Sequence, residues 1–283
     1  AFSSKGLMFF ERNDMLYILG DQALGIADIF NDNPRRPIES GLLNPKEKES
    51  EYILKAIMEK LMNGKSGNGK KVCFSVPGKP LGPYEVSTIY HESIIKRHLE
   101  KMGFSPLAIN EGLTVVLSEL ASNDFTGIGI SMGGGMCNIC FSSLTIPVVT
   151  FSIQKAGDYI DQTVGRSVGE SAVRIKKIKE ETLNLARDPK NRIDTSLHIH
   201  YENLFNTVLK SLQKSLGESN NIPRLTEGVP MVLSGGTVMP EGSLEKFKKV
   251  MKDYPLPIKI SSVRVAKNPL YTTAKGAWMM AQT

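Results

Sequence analysis

Two segments of this chain, about a hundred residues apart, share one pattern: an apolar strand that runs straight into consecutive glycines. Ile128-Gly129-Ile130-Ser131-Met132 leads into Gly133-Gly134-Gly135, and Met231-Val232-Leu233-Ser234 leads into Gly235-Gly236. A glycine turn at the C-terminal end of a strand has no Cβ to hold a ligand away, so its backbone N–H groups can approach a phosphate. Two such turns facing one cleft would grip opposite ends of a nucleotide. Two unrelated tight turns are the alternative that the pattern alone leaves open.

Around these turns the hydrophobic pattern alternates between strand and helix periods. Short strands are expected at 7–10 and 15–19, joined at Asn13-Asp14, with helices over 21–30 and 48–62. A strand at 71–76 precedes a helix over 86–102 whose apolar side carries Ile89, Ile94, Ile95 and Leu99. A strand at 107–109 and a helix over 112–120 follow. The middle then reads as an antiparallel meander, 126–132, 137–141 and 148–154. Helices over 158–168, 170–185 and 201–216 come next. The chain continues with a strand at 230–234, a helix over 244–253, a strand at 258–262 and a last helix over 271–280. This alternation argues for α/β architecture with some parallel strands.

Several function classes are disfavoured by composition and spacing. With 41% hydrophobic and 23% charged residues the chain is ordinary globular material, and no apolar run approaches the ~18 residues of a membrane span. Three cysteines, Cys73, Cys137 and Cys140, do not suggest a secreted disulfide framework, and a reducing cytoplasm is the expected setting. The net charge of +6 is spread out, and the densest basic stretch, 166–192, also holds Glu170, Glu180, Glu181 and Asp188, so no nucleic-acid partner is expected. Residues 64–71 nearly match a Walker A loop. They lack its Ser or Thr at Lys71 and lie in helix–loop–strand order, so they read as a flexible surface loop. Gly127-Ile128-Gly129 lacks the third glycine of a dinucleotide fingerprint in register. Cys137 and Cys140 should point to opposite faces of a strand, which disfavours zinc. His198 and His200 read as a surface pair on one strand face.

Val232-Leu233-Ser234-Gly235-Gly236-Thr237-Val238-Met239 resembles the adenosine-binding segment of actin, and Ile178-Lys179-Glu180-Glu181 resembles actin's helix beside the adenine and ribose. Residues 129–138 resemble the second phosphate-binding hairpin. Ala156-Gly157-Asp158-Tyr159-Ile160-Asp161 is similar to the helix start after that hairpin in the bacterial actins MreB and MamK. Arg36-Pro37-Ile38-Glu39-Ser40-Gly41 resembles a first-lobe segment of the same proteins, while Asn110-Glu111-Gly112-Leu113 and residues 269–280 resemble the two interlobe connections. These matches keep the family's order and span nearly the whole chain. The chain is therefore identified as a member of the actin-like ATPase superfamily, of the bacterial filament-forming type.

The resemblance implies a two-lobed α/β fold of ribonuclease H-like type with an interlobe nucleotide cleft. It implies one lobe at 1–125 with 268–283, the other at 126–267, and a reduced outer subdomain at about 161–222. It further implies that Gly133, Gly134 and Gly135 face the phosphates of ATP or GTP with magnesium, and that Gly157 approaches the sugar-phosphate. Lys179 and Glu180 would flank the adenosine, Glu180 accepting from ribose hydroxyls, and Gly235, Gly236, Thr237 and Met239 would line the adenine side. Glu111 stands where the family orients the attacking water. Two departures matter. The family's opening acidic-x-Gly-(Thr/Ser) hairpin is not found; residues 1–19 resemble the segment C-terminal to that hairpin, and the expectation is that such residues precede Ala1, the alternative being a protein that lacks the loop. Ser131 replaces the aspartate that orders waters around magnesium, which predicts slow hydrolysis. The expected function is a cytoplasmic, nucleotide-binding protein that self-associates into cytoskeletal filaments. The alternative is a non-polymerising regulator or scaffold of the same fold.

Overall fold

The structure, a computed structural model, describes residues 8–30, 34–82 and 87–283. Leu7 and Val86, expected as the first residues of a strand and a helix, lie outside that set. The chain divides into two compact units, residues 1–39 with 43–66, and residues 40–42 with 67–283.

The first unit opens with a hairpin, β1 (Phe9–Arg12) against β2 (Met15–Ile18). Asn13 and Asp14 both take positive φ, the two-residue turn that suits the right-handed twist of paired strands. Helix α1 (Asp21–Ile29), the short strands β3 (Ile38–Glu39) and β4 (Leu42–Leu43), and helix α2 (Ser50–Leu61) follow. Phe10, Leu19, Ile53 and Ala56 form this unit's small core, and Phe10 stacks on Tyr17.

The second unit begins with β5 (Lys71–Val76), helix α3 (Thr88–Lys101) and β6 (Ser105–Asn110), which lies parallel to β5 with Cys73 opposite Leu107. Only part of the apolar side expected for α3 is realised. Ile94 and Leu99 are buried, but Ile89 is exposed, and His91 and His98 fill the buried face instead. The glycine-rich residues before β5 do not float as a free loop. Gly67 N–H donates to Met102 O and Gly69 N–H to Gly103 O, which pins them beside the end of α3.

Helix α4 (Glu111–Glu119) then leads to β7 (Gly127–Met132), β8 (Cys137–Ser143) and β9 (Ile146–Ile153), the expected meander. After α5 (Gly157–Val168), α6 (Ala172–Glu181) and α7 (Arg192–Gly217) the chain returns as β10 (Val229–Ser234), α8 (Ser243–Met251), β11 (Ile260–Val265) and α9 (Thr272–Ala281). The five strands order as β11-β10-β7-β8-β9. Strands β7, β10 and β11 run parallel, and every residue of β7 and β10 is buried. Burial on both faces explains why these strands read as apolar runs rather than alternations. Cys137 and Cys140 are both buried as well, one on each covered face, and burial pushes the Cys140 thiol up to about 12.

Helix α4 crosses this sheet at unusually short range. A Cβ on Gly129 would stand 2.3 Å from Gly112 O, so both positions are held to glycine by approach rather than by turn geometry. On the sheet's other side α7 contributes Leu197, Tyr201, Leu204, Phe205, Val208, Leu209, Leu212 and Leu216 to the main core. Each such side chain is worth roughly 1.5–3 kcal/mol of transfer free energy. This helix corrects one expectation. It starts at Arg192, so His198 and His200 sit on a helix and not on a strand.

Candidate functional site

All twelve sequence-predicted site residues lie in the second unit. The parallel pairing of β7 with β10 sets Leu233 opposite Ile130 and Ser234 opposite Ser131, so the two glycine turns emerge side by side from the same end of the sheet. They are bonded to each other. Thr237 Oγ1 donates to Gly133 O at 2.7 Å, and Gly157 N–H donates to the same oxygen at 3.1 Å. Asp158 N–H donates to Gly134 O at 2.8 Å, and Gly133 N–H closes the hairpin turn on Met136 O at 3.1 Å. Gly235 takes φ 95°, and a Cβ there would lie 2.2 Å from Met132 O, so the second turn can nestle against the first only with glycine at this position. Its N–H donates to Pro269 O, as does Ser234 Oγ, which ties the turn to the chain entering α9.

Gly157 is the meeting point of Thr237 and Lys179, two of the residues that the resemblance places beside the adenosine. A Cβ on it would lie 2.9 Å from Thr237 Oγ1 and 3.1 Å from Lys179 Nζ. Lys179 is buried. Its ammonium donates to Gly157 O at 3.2 Å and to Asp161 Oδ2 at 2.8 Å. Burial raises the Asp161 carboxyl to about 6 against the pull of Lys179, and Asp161 Oδ1 has no partner among the described residues. Sequence reasoning passed over Asp161 as part of a helix start. The signal available was a carboxylate on the same face of α5 as apolar Ile160 and Val164. Glu180 is exposed and pairs with Lys176 at 3.9 Å, while Gly236 and Met239 are exposed beside buried Thr237. Leu270 Cδ2 would stand 3.6 Å from a Cβ on Gly236, which leaves that position open.

Ser131 and Glu111 form the other end. Ser131 is buried between two cross-strand neighbours, Ser234 on β10 and Asn138 on β8. Glu111 is the first residue of α4, but it does not cap it. The cap is Asn110, whose side chain accepts from Leu113 N–H. The Glu111 carboxyl instead accepts from Asn138 Nδ2 at 2.6 Å, and Asn138 Oδ1 accepts from Gly78 N–H at 3.0 Å. Gly78 therefore fixes which way the Asn138 amide faces. Burial pushes the Glu111 carboxyl above its ordinary range, and the Asn138 hydrogen bond opposes this. Asn138 was missed from sequence. Its one signal was a lone amide inside the apolar run of β8.

Among the described residues no group of three or more His, Cys, Asp or Glu side chains could hold a metal ion, and no helix is long and apolar enough to cross a membrane. The polar groups around the turns are backbone N–H groups and the hydroxyls of Ser131, Ser234 and Thr237, with the carboxyls of Glu111, Asp158 and Asp161 nearby. Backbone N–H and hydroxyl donors are of the kind that suit phosphate oxygens.

Comparison with solved structures puts this architecture among the bacterial actins. The chain is similar to MreB5 of Spiroplasma citri bound to ADP, with TM-score 0.69 and 17% identity over 98% of this chain and 88% of that one. It is similar to a MamK double helical filament, with TM-score 0.67 and 14% identity over 88% and 81%. It is also similar to the ethanolamine utilization protein EutJ of Carboxydothermus hydrogenoformans, with TM-score 0.56 and 16% identity over 87% and 78%. A sequence search of curated proteins yields no significant match. The fold is thus actin-like, and a family model matched over residues 1–281 shows that the chain belongs to the Volactin family.

Proposed function

We propose that this protein binds ATP or GTP with magnesium at the paired glycine turns and self-assembles into filaments, hydrolysing its nucleotide slowly. The observation that carries the reading is the Thr237–Gly133 hydrogen bond across parallel β7 and β10. It holds the two glycine turns against each other at one end of the sheet, and glycine turns placed so can bring backbone N–H groups to a phosphate. The ADP in the MreB5 structure and the filament of MamK support nucleotide binding and assembly in turn. Lys179 and Glu180 would serve the adenosine, with Gly235, Gly236, Thr237 and Met239 beside the base. Glu111 would order the attacking water in line with the terminal phosphate, which is most of what a protein supplies to so loose a transition state. Slow turnover is expected because Ser131 offers a hydroxyl and no charge to the magnesium waters. Titration calorimetry with ATP and GTP, each with magnesium, tests binding. Pelleting with and without nucleotide tests assembly. Tight binding without pelleting would turn the reading toward a regulator or scaffold.

A further inference from the structure

Nine described non-glycine residues have positive φ, and four of them cluster at one end of the five-stranded sheet. Asp124 and Phe125 (φ 51° and 53°) precede β7, and Leu144 and Thr145 (φ 50° and 70°) form the β8–β9 turn. The two turns are tied together, because Leu144 N–H donates to Thr126 Oγ1 at 3.0 Å. A two-residue hairpin of this hand favours Asn-Gly, and a β-branched threonine in the left-handed region is an outlier. The chain holds this strained turn while Leu144 and Ile146, either side of it, are 64% and 67% exposed. None of the described residues of the second unit rewards that arrangement by burying them.

The opposite edge of the same sheet carries a matching recess. Met251 near the end of α8 and Ile260 and Val263 on edge strand β11 line a hollow of about 300 Å³, with Lys248 and Lys252 beside them. Because β8 runs against β7 while β11 runs with it, the hairpin tip and the hollow lie at the same end of the strands. Apolar tip faces apolar hollow in chemistry, and exposed Asp124 beside the tip matches the two lysines of the recess.

We propose that the Leu144–Ile146 tip of one copy seats in the α8–β11 hollow of the next. Two different surfaces make such a contact heterologous. It repeats along a series of copies and does not close a pair, which is how open polymers grow. This deepens the self-assembly reading above by naming one of its contacts. It also explains the strained turn: the side chains there are kept for a second copy and not for the stability of the fold.

The test uses the full chain. Leu144→Cys and Met251→Cys proteins are mixed under oxidising conditions with ATP and magnesium. The mixture should give a covalent dimer that neither variant gives alone, and the double variant a ladder; native Cys137 and Cys140 are buried, and half-buried Cys73 is replaced by Ser in every protein compared. A dimer from Leu144→Cys alone would mean tip-to-tip contact and would overturn the proposal. Pelleting of the unmodified protein without a mixed dimer would also overturn it, with the filament reading left standing. A mixed dimer without pelleting would sustain the contact and remove the filament reading, and absence of both removes both. A second variant, Leu144→Asn with Thr145→Gly, relieves the turn and deletes part of the tip. It should raise the melting temperature and raise the concentration needed for assembly by roughly tenfold, the scale of losing one interface anchor. Melting that rises with assembly unchanged would leave the turn with a purely structural explanation and sink the proposal.

Discussion

Glu111 and Asn138 show how a residue's role depends on what its neighbours leave free. A carboxylate at the start of a helix ordinarily offsets the macrodipole for about 0.3–1 kcal/mol, but Asn110 already caps α4 and Glu111 turns to Asn138. Replacing Glu111 by Ala should therefore abolish phosphate release in single-turnover assays, with nucleotide affinity nearly unchanged. Turnover that ignores the change would return Glu111 to a structural role. On the proposed reading Ser131→Asp should act in the opposite direction, speeding release by placing a carboxylate where the nucleotide's magnesium waters are proposed to lie.

Neighbouring glycines at the second turn separate the same way. Gly235→Ala should destabilise the fold, since its Cβ would meet Met132 O at 2.2 Å in a left-handed backbone. Gly236→Leu should leave the melting temperature near that of the parent, because the space is open, and should cost nucleotide affinity in calorimetry.

Asp161 adds a pH dependence whose sign comes from its environment. Its ordinary value is 3.8 and burial raises it to about 6, so the folded chain holds a proton that the unfolded chain releases between those values. Its contribution to stability falls as pH rises from about 4 to about 6 and is level above. Denaturant melts across that window should show a shallower slope for Asp161→Asn, whatever the absolute loss from stranding Lys179.

At the scale of elements, periodicity located most helices and strands, and packing decided which faces they bury. Helix α3 has an apolar stripe that includes Ile89, yet two histidines are buried in its place, and burial lowers the pKa of His91. The start of α7 was hidden because residues 192–200 alternate polar and apolar side chains closely enough to suggest a strand. The helix is held by Leu197, Tyr201 and Leu204 against the sheet, contacts that a local pattern cannot contain. Tyr201 is wholly buried and its hydroxyl has no partner among the described residues. An orphaned buried hydroxyl costs about 1–3 kcal/mol, so Tyr201→Phe should raise the denaturation midpoint. A lower midpoint would show that the hydroxyl is satisfied by water.

For the molecule as a whole, nucleotide and stability are linked by mass action. A ligand that binds only the folded chain adds about 2.7 kcal/mol at a hundred times its dissociation constant. Melting should therefore shift upward with ATP and magnesium in the parent and barely in Gly236→Leu. An equal shift in both proteins would dissociate the second glycine turn from binding.

The two strand–glycine units and their order were legible in the sequence as apolar runs ending in consecutive glycines, but that pattern by itself left open two unrelated tight turns. The expectation that Lys179, Thr237 and Glu111 belong to one site came from the family resemblance and not from local pattern. Only the tertiary structure decided that the turns touch, since the parallel pairing of β7 and β10 joins residues about a hundred positions apart. It also decided that Asp161 is buried beside Lys179, that Asn138 holds Glu111, and that Leu144 and Ile146 stand in solvent. Burial, charge pairing and exposure are set by what long-range packing brings near a side chain, and neither composition nor spacing carries that information.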